Sequence, residues 1–156
     1  MRDNLNATMV GKASAAGDWF VSDGLNSIVR RVPSSASVLT SQTTTSTSYT
    51  NLTTTGPSAT VTTGTTALVM FGASMSSNTT DAGVFMSVDV SSATTIAAND
   101  DWAVWLGGVP SGNASHMGMA KLFTTLTAGS NVFTAKYRTS SGTATYANRH
   151  LMVIPF

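Results

Sequence analysis

"ALVMFGASM", residues 67–75, alternates like a strand but is apolar on both sides. Ala67, Val69, Phe71, Ala73 and Met75 take the odd positions, which in an extended chain share one face. Leu68 and Met70 put large apolar side chains on the other. The stretch therefore predicts a β-strand that needs cover on both faces. A strand of an isolated antiparallel sandwich needs cover on only one.

The same period continues outward. "VFMSVDV" (84–90) places Val84, Met86, Val88 and Val90 on one face, and "VFTAKYRT" (132–139) turns Phe133, Ala135 and Tyr137 in and Lys136 and Arg138 out. "ATVTT", "DWAVWLGG", "HMGMAKLFTTL" and "NRHLMVIPF" read as further strands, separated by Gly-, Asn- and Ser-rich turns at intervals of roughly ten residues. About eight strands and no convincing helix predict an all-β antiparallel sandwich, jelly-roll-like, over residues 46–156. Two other strands share the demand for double cover. Trp105 points away from Trp102, Val104 and Leu106, and Met152, Ile154 and Phe156 oppose Leu151 and Val153. That cover comes either from another part of the chain folding back or from further copies of the chain. On the second reading Leu68, Met70, Trp105, Met152, Ile154 and Phe156 form the oligomer interface.

Composition narrows the partners. Of 156 residues only 10 % are charged, the net charge is +1, and the seven acids are all Asp. Nucleic acid asks for clustered Lys and Arg, which are missing. Cysteine is absent, so no disulfide framework or thiolate metal site exists. No apolar run is long enough for a membrane helix, and residues 1–20 contain no signal-peptide core.

Residues 1–45 differ from the rest, with scattered apolar residues and no sustained period. They read as an extended N-terminal arm that orders by docking on a partner. A short helical turn is expected around Leu25–Val29, ended by Pro33, with a strand or clip in "GDWFVSDG". The candidate contacts are Trp19, Phe20, Leu25, Ile28, Arg30 and Arg31, because aromatic and Arg side chains anchor interfaces best. "SVLTSQTTTSTSYTNLTTTGP" (37–57) is the handover from arm to sandwich, with the first strand expected around Tyr49 and Leu52.

No catalytic constellation stands out. His116 and His150 lack partners at metal-ligand spacing. Asp100 and Asp101 are adjacent, so in a strand they face opposite ways, and Asp81 and Asp89 read as turn and strand residues. "GKAS" (11–14) lacks the glycine that a phosphate-binding loop places five residues before Gly11. The sequons at Asn6, Asn51, Asn78 and Asn113 are expected by chance in so Ser/Thr-rich a chain. No enzyme, cofactor or metal is indicated.

"AAGDWFVSDGLNSIVRRVP" resembles the N-terminal attachment segments of bacteriophage fibre and decoration proteins. "DDWAVWLGG", "LTAGSNVFTAKYRTSSGTATYANRH" and "LMVIPF" resemble the β-sandwich heads of minor virion proteins from tailed phages. The resemblance implies a virion protein, homotrimeric through its head, of the capsid decoration, head-fibre or tail-fibre kind; the missing collagen-like or coiled-coil shaft favours a compact capsid decoration or minor capsid protein. Its arm would bind the major capsid protein or another virion protein at the outer capsid surface. A 45-residue arm reaches at most roughly 150 Å at about 3.3 Å per residue. The alternative is a head-fibre or tail-fibre component whose β head binds a surface glycan. There Trp102, Trp105, Tyr137 and Tyr146 would stack on sugar rings.

Overall fold

The computed structural model describes residues 19–22 and 28–156. Strands β3 (Ser34–Val38), β4 (Gln42–Thr44), β6 (Ala67–Ser77), β9 (Ala114–Phe123) and β11 (Ala144–Pro155) form a front sheet of order β3-β11-β6-β9. There β4 pairs with the N-terminal part of β11 and β3 with its C-terminal part. The back sheet takes β5 (Ser58–Thr63), β7 (Val84–Ser92), β8 (Val104–Leu106) and β10 (Gly129–Thr139) in the order β5-β10-β7-β8. If β3 and β4 are taken as one interrupted strand, the eight strands run 1-8-3-6 and 2-7-4-5 in the two sheets. Every pairing within them is antiparallel. This is the jelly-roll connectivity, two nested Greek keys.

The alternation explains the core. Val69, Phe71, Ala73 and Met75 of β6 face Val84, Met86, Val88 and Val90 of β7, with Phe133, Ala135 and Tyr137 of β10 and Leu151 and Val153 of β11 completing the interior. Each fully buried large apolar side chain is worth on the order of 1.5–3 kcal/mol. Tyr137 and Tyr146 lie within this core, their rings 4.7 Å apart. Burial pushes the Tyr137 phenol up to about 12, and its hydroxyl donates to the Gly56 carbonyl at 2.9 Å. Among the described residues no helix is long and apolar enough to cross a membrane.

A bulge in β11 redirects one side chain. Register slips between Ala147 and His150, and Asn148 has φ 50°, so the inward positions change from Ala144 and Tyr146 to Arg149, Leu151 and Val153. Arg149 is thereby fully buried. Among the described residues it has no carboxylate partner; oxygen atoms of the Ser/Thr tract accept from its two terminal nitrogens instead, and its Nε has no partner among them. Nη2 donates to Gln42 Oε1 at 2.8 Å and to the Thr40 carbonyl at 3.4 Å, and Nη1 donates to the Gly56 carbonyl at 3.2 Å.

That cation decides the path of residues 39–56. The first strand lies earlier than expected, at Ser34–Val38 and Gln42–Thr44, so the sheet reaches back past the expected boundary at 45/46. Around Tyr49 and Leu52 there is no strand, only a bridge in which Thr50 and Tyr137 exchange backbone bonds of 3.0 Å. Leu52 is buried there without belonging to a sheet. A run of Thr and Ser has no hydrophobic face to select a register, so buried donors on the sandwich select it.

Ahead of the sandwich, β1 (Trp19–Ser22) and β2 (Ile28–Arg31) pair as an antiparallel two-stranded sheet. Ile28 and Val29 are therefore extended, where a helical turn was expected. Both are β-branched, which favours the strand.

Candidate interaction surfaces

The outer face of the front sheet is built in rows across its strands. Leu68 lies between Leu122 of β9 and Ile154 of β11, and Met70 between Ala120 and Met152. Gly72 follows, between Gly118 and His150. Leu122 is 49 % exposed and Met152 38 %, while Leu68, Met70 and Ile154 are half-buried. An apolar patch thus runs over three adjacent strands, bordered by His116 and His150. Their rings stack at 5.5 Å, within 6° of parallel.

Five of the six expected interface residues belong to this sheet or its end. Leu68, Met70, Met152 and Ile154 share the patch. Phe156 follows β11, half-buried, with its backbone bonded to Gly64 and Thr66 of the β5–β6 turn. Trp105 is elsewhere, on the outer face of the back sheet. Sequence reasoning passed over Leu122, although the outward series His116, Gly118, Ala120, Leu122 carries the signal.

On the back sheet Trp105, 57 % exposed, stands opposite Phe85 in the β7–β8 pairing. The two rings are 6.3 Å apart and 22° from parallel. The Arg138 guanidinium sits 3.7 Å from the Phe85 ring centre. Arg138 donates from Nε to Asp100 Oδ1 at 3.0 Å and from Nη2 to Oδ2 at 2.5 Å, and the Tyr49 hydroxyl donates to the same Asp100 Oδ1 at 2.7 Å. Beside them Lys136 pairs with Asp89 at 3.2 Å and donates to Asn51 Oδ1 at 2.7 Å. Tyr49, Asp89, Asp100, Lys136 and Arg138 line a groove of about 630 Å³ with Thr47, Ser48 and Asn99.

Electrostatics follow from these contacts. The hydrogen bonds from Arg138 hold the Asp100 carboxyl below its usual range, and Asp100 in turn raises Arg138. Burial, assisted by Asp100, pushes the Tyr49 phenol well up. Desolvation raises Asp89 against the pull of Lys136. Of the aromatics expected to meet sugars, Tyr137 and Tyr146 are core residues. Trp102 packs edge-on to Phe123 at 5.7 Å and donates its indole N–H to the Val88 carbonyl at 3.1 Å. Only Trp105 of the four is exposed.

Of the expected arm contacts, Trp19 and Phe20 fall in β1 and Ile28, Arg30 and Arg31 in β2, with Trp19 opposite Arg31 and Phe20 opposite Arg30. Leu25 lies outside the described residues. Val29 to Ser34 face Thr60–Thr62 of β5 across a second groove of about 580 Å³. Among the described residues no group of three or more His, Asp or Glu could hold a metal ion.

The fold is a jelly roll, similar to that of solved virus capsid proteins. VP2 of infectious bursal disease virus, from a subviral particle, aligns with 86 % of this chain at a TM-score of 0.56 and 13 % identity. The T=1 particles derived from the same virus align at 0.55 and 14 %. Eiger, a TNF from S. frugiperda, aligns with 78 % of this chain at 0.50 and 9 %. This chain spans 37 % of the VP2 chain and 91 % of Eiger. At such identities the likeness is one of fold. No family model and no curated protein matches the sequence.

Proposed function

We propose that this chain is a non-enzymatic structural protein of a virion, a capsid decoration or minor capsid protein. Its jelly roll self-associates as a homotrimer through the outer face of the front sheet, and the segment before Ser34 ties it to the major capsid protein. The observation that carries this reading is the patch of Leu68, Met70, Leu122, Met152 and Ile154. It spans three strands and faces solvent in the single chain, and contiguous exposed apolar surface of this kind marks association sites. The capsid fold supports a virion role. The trimer and the tailed-phage setting come from the resemblance of the sequence to minor virion proteins.

Sedimentation of the full chain at micromolar concentration tests it. The expected result is three chain masses, falling to one in the Leu68→Asp, Met152→Asp double variant with the β-sheet circular dichroism kept. A single-chain mass for the unaltered protein overturns the reading. So does a double variant that stays trimeric.

A further inference from the structure

His116 and His150 are the titratable side chains on the outer face of the front sheet. Strands β3, β4, β6, β9 and β11 contain no Asp or Glu, and besides the histidines their charged residues are Lys121 and Arg149. Both of these leave the outer face. Arg149 is buried between the sheets, and Lys121, in register with the buried Val69, lies over the Trp102 ring at 5.3 Å. Facing outward around the two rings are Ser37 of β3, Thr43 of β4, Gly72 and Ser74 of β6, Gly118 of β9 and Met152 of β11, all uncharged. The histidines stand on strands either side of β6, and their rings meet over it because Gly72 has no side chain. A Cβ there would come within 3.0 Å of His150 Cε1.

We propose that the stacked His116–His150 pair is a pH switch on self-association: uncharged, it lets copies pack through the front sheet, and its protonation separates them. The inference rests on association through that sheet and adds the regulation of the same surface. The pair adjoins the row of Met70 and Met152, at the border of the apolar patch. In the neutral state it extends an uncharged surface. Protonated, it sets two like charges on rings 5.5 Å apart, with no carboxylate on these strands to hold either. The polar contact at hand is the Asn148 carbonyl, 3.4 Å from His150 Nδ1, which does not neutralise a charge. Covering two such imidazolium rings with a second copy would strip their water without replacing it. Single chains therefore accept protons that the assembly excludes, so association weakens as pH falls and strengthens as it rises. Imidazole is the side chain whose charge ordinarily changes between pH 5 and 8.

Sedimentation of the full chain over a dilution series, at about pH 7.5 and about pH 5.5 and one ionic strength, reads the effect. The chain concentration at half-dissociation should rise at least about tenfold at the lower pH, with the β-sheet circular dichroism unchanged. In the His116→Gln, His150→Gln double variant, uncharged throughout, the two midpoints should coincide. Each single variant should keep part of the shift. Equal midpoints in the unaltered protein overturn the switch and leave the association standing. A full shift that persists in the double variant also overturns it, because carboxylates then carry the effect. If the double variant does not assemble, the single variants decide, and an undiminished shift in both counts against the pair. A single-chain mass at both pH values is the separate failure of the association reading, and it takes the switch with it.

Discussion

Asp89 and Asp100 line one groove, yet folding moves their acidities in opposite directions. Asp100 is held low by Arg138, so the stability it contributes is present above the ordinary value of 3.8 and is lost as pH falls through its lower folded value. Asp89 is raised by desolvation, so its ionised form burdens the folded state above its folded value. That burden is relieved as pH falls toward 3.8. Urea denaturation across the carboxylate range should therefore show Asp100→Asn flattening the acid limb below 3.8. Asp89→Asn should instead remove the opposing slope above 3.8. If the two substitutions changed the same limb in the same sense, the pairing with Arg138 would not be what lowers Asp100. None of this was legible beforehand: Asp100 and Arg138 are 38 positions apart, and only the stacking of β10 beside the loop before β8 joins them.

Gly72 of β6 faces Gly118 of β9 in register, and the two strands approach closely there. A Cβ on Gly72 would collide with the Met117 carbonyl oxygen, which is backbone and cannot swing aside, whereas one on Gly118 would meet the Phe71 carbonyl at 3.1 Å. Overpacking of this kind costs about 1–3 kcal/mol. Gly72→Ala should fall in that range and raise amide exchange along β9 first, and Gly118→Ala should cost less. Equal losses would show that the close approach is not the cause. At this scale the sequence was a good guide to strands with an apolar alternation, such as Val84–Ser92, where Val84, Met86, Val88 and Val90 all reach the core. It was a poor guide to the Ser/Thr tract, where each register offers the same side chains. There the buried Arg149 and the edge of β11 made the choice.

For the molecule as a whole, the front and back sheets present different surfaces, one apolar and one aromatic-polar, and the chain enters the front sheet at Ser34. That entry point sets where the proposed attachment arm can be cut. Removal of residues 1–32 spares β3, whereas removal through residue 36 would take away three of the five residues of a paired strand. The shorter truncation should melt as the full chain does and keep its oligomeric mass, yet fail to incorporate into particles. Full occupancy of shells by the truncated protein, measured by particle composition, would show that the tether lies within the sandwich. Among the expected interface residues, Trp105 shows the limit of reading faces strand by strand. It does lie on an outer face, but of the other sheet, 57 % exposed beside Phe85 rather than among the methionines.

What the sequence determined by itself is local. Period-two alternation marks the strands and their inward faces, and the missing cysteines remove disulfides. Which strands lie side by side was left to the tertiary structure. Backbone hydrogen bonds are alike for any two strands, so pairing is selected by how the whole core closes. That closure set the jelly-roll order, put the bulge in β11 that buries Arg149, and carried Trp105 to the face opposite Leu68 and Met70.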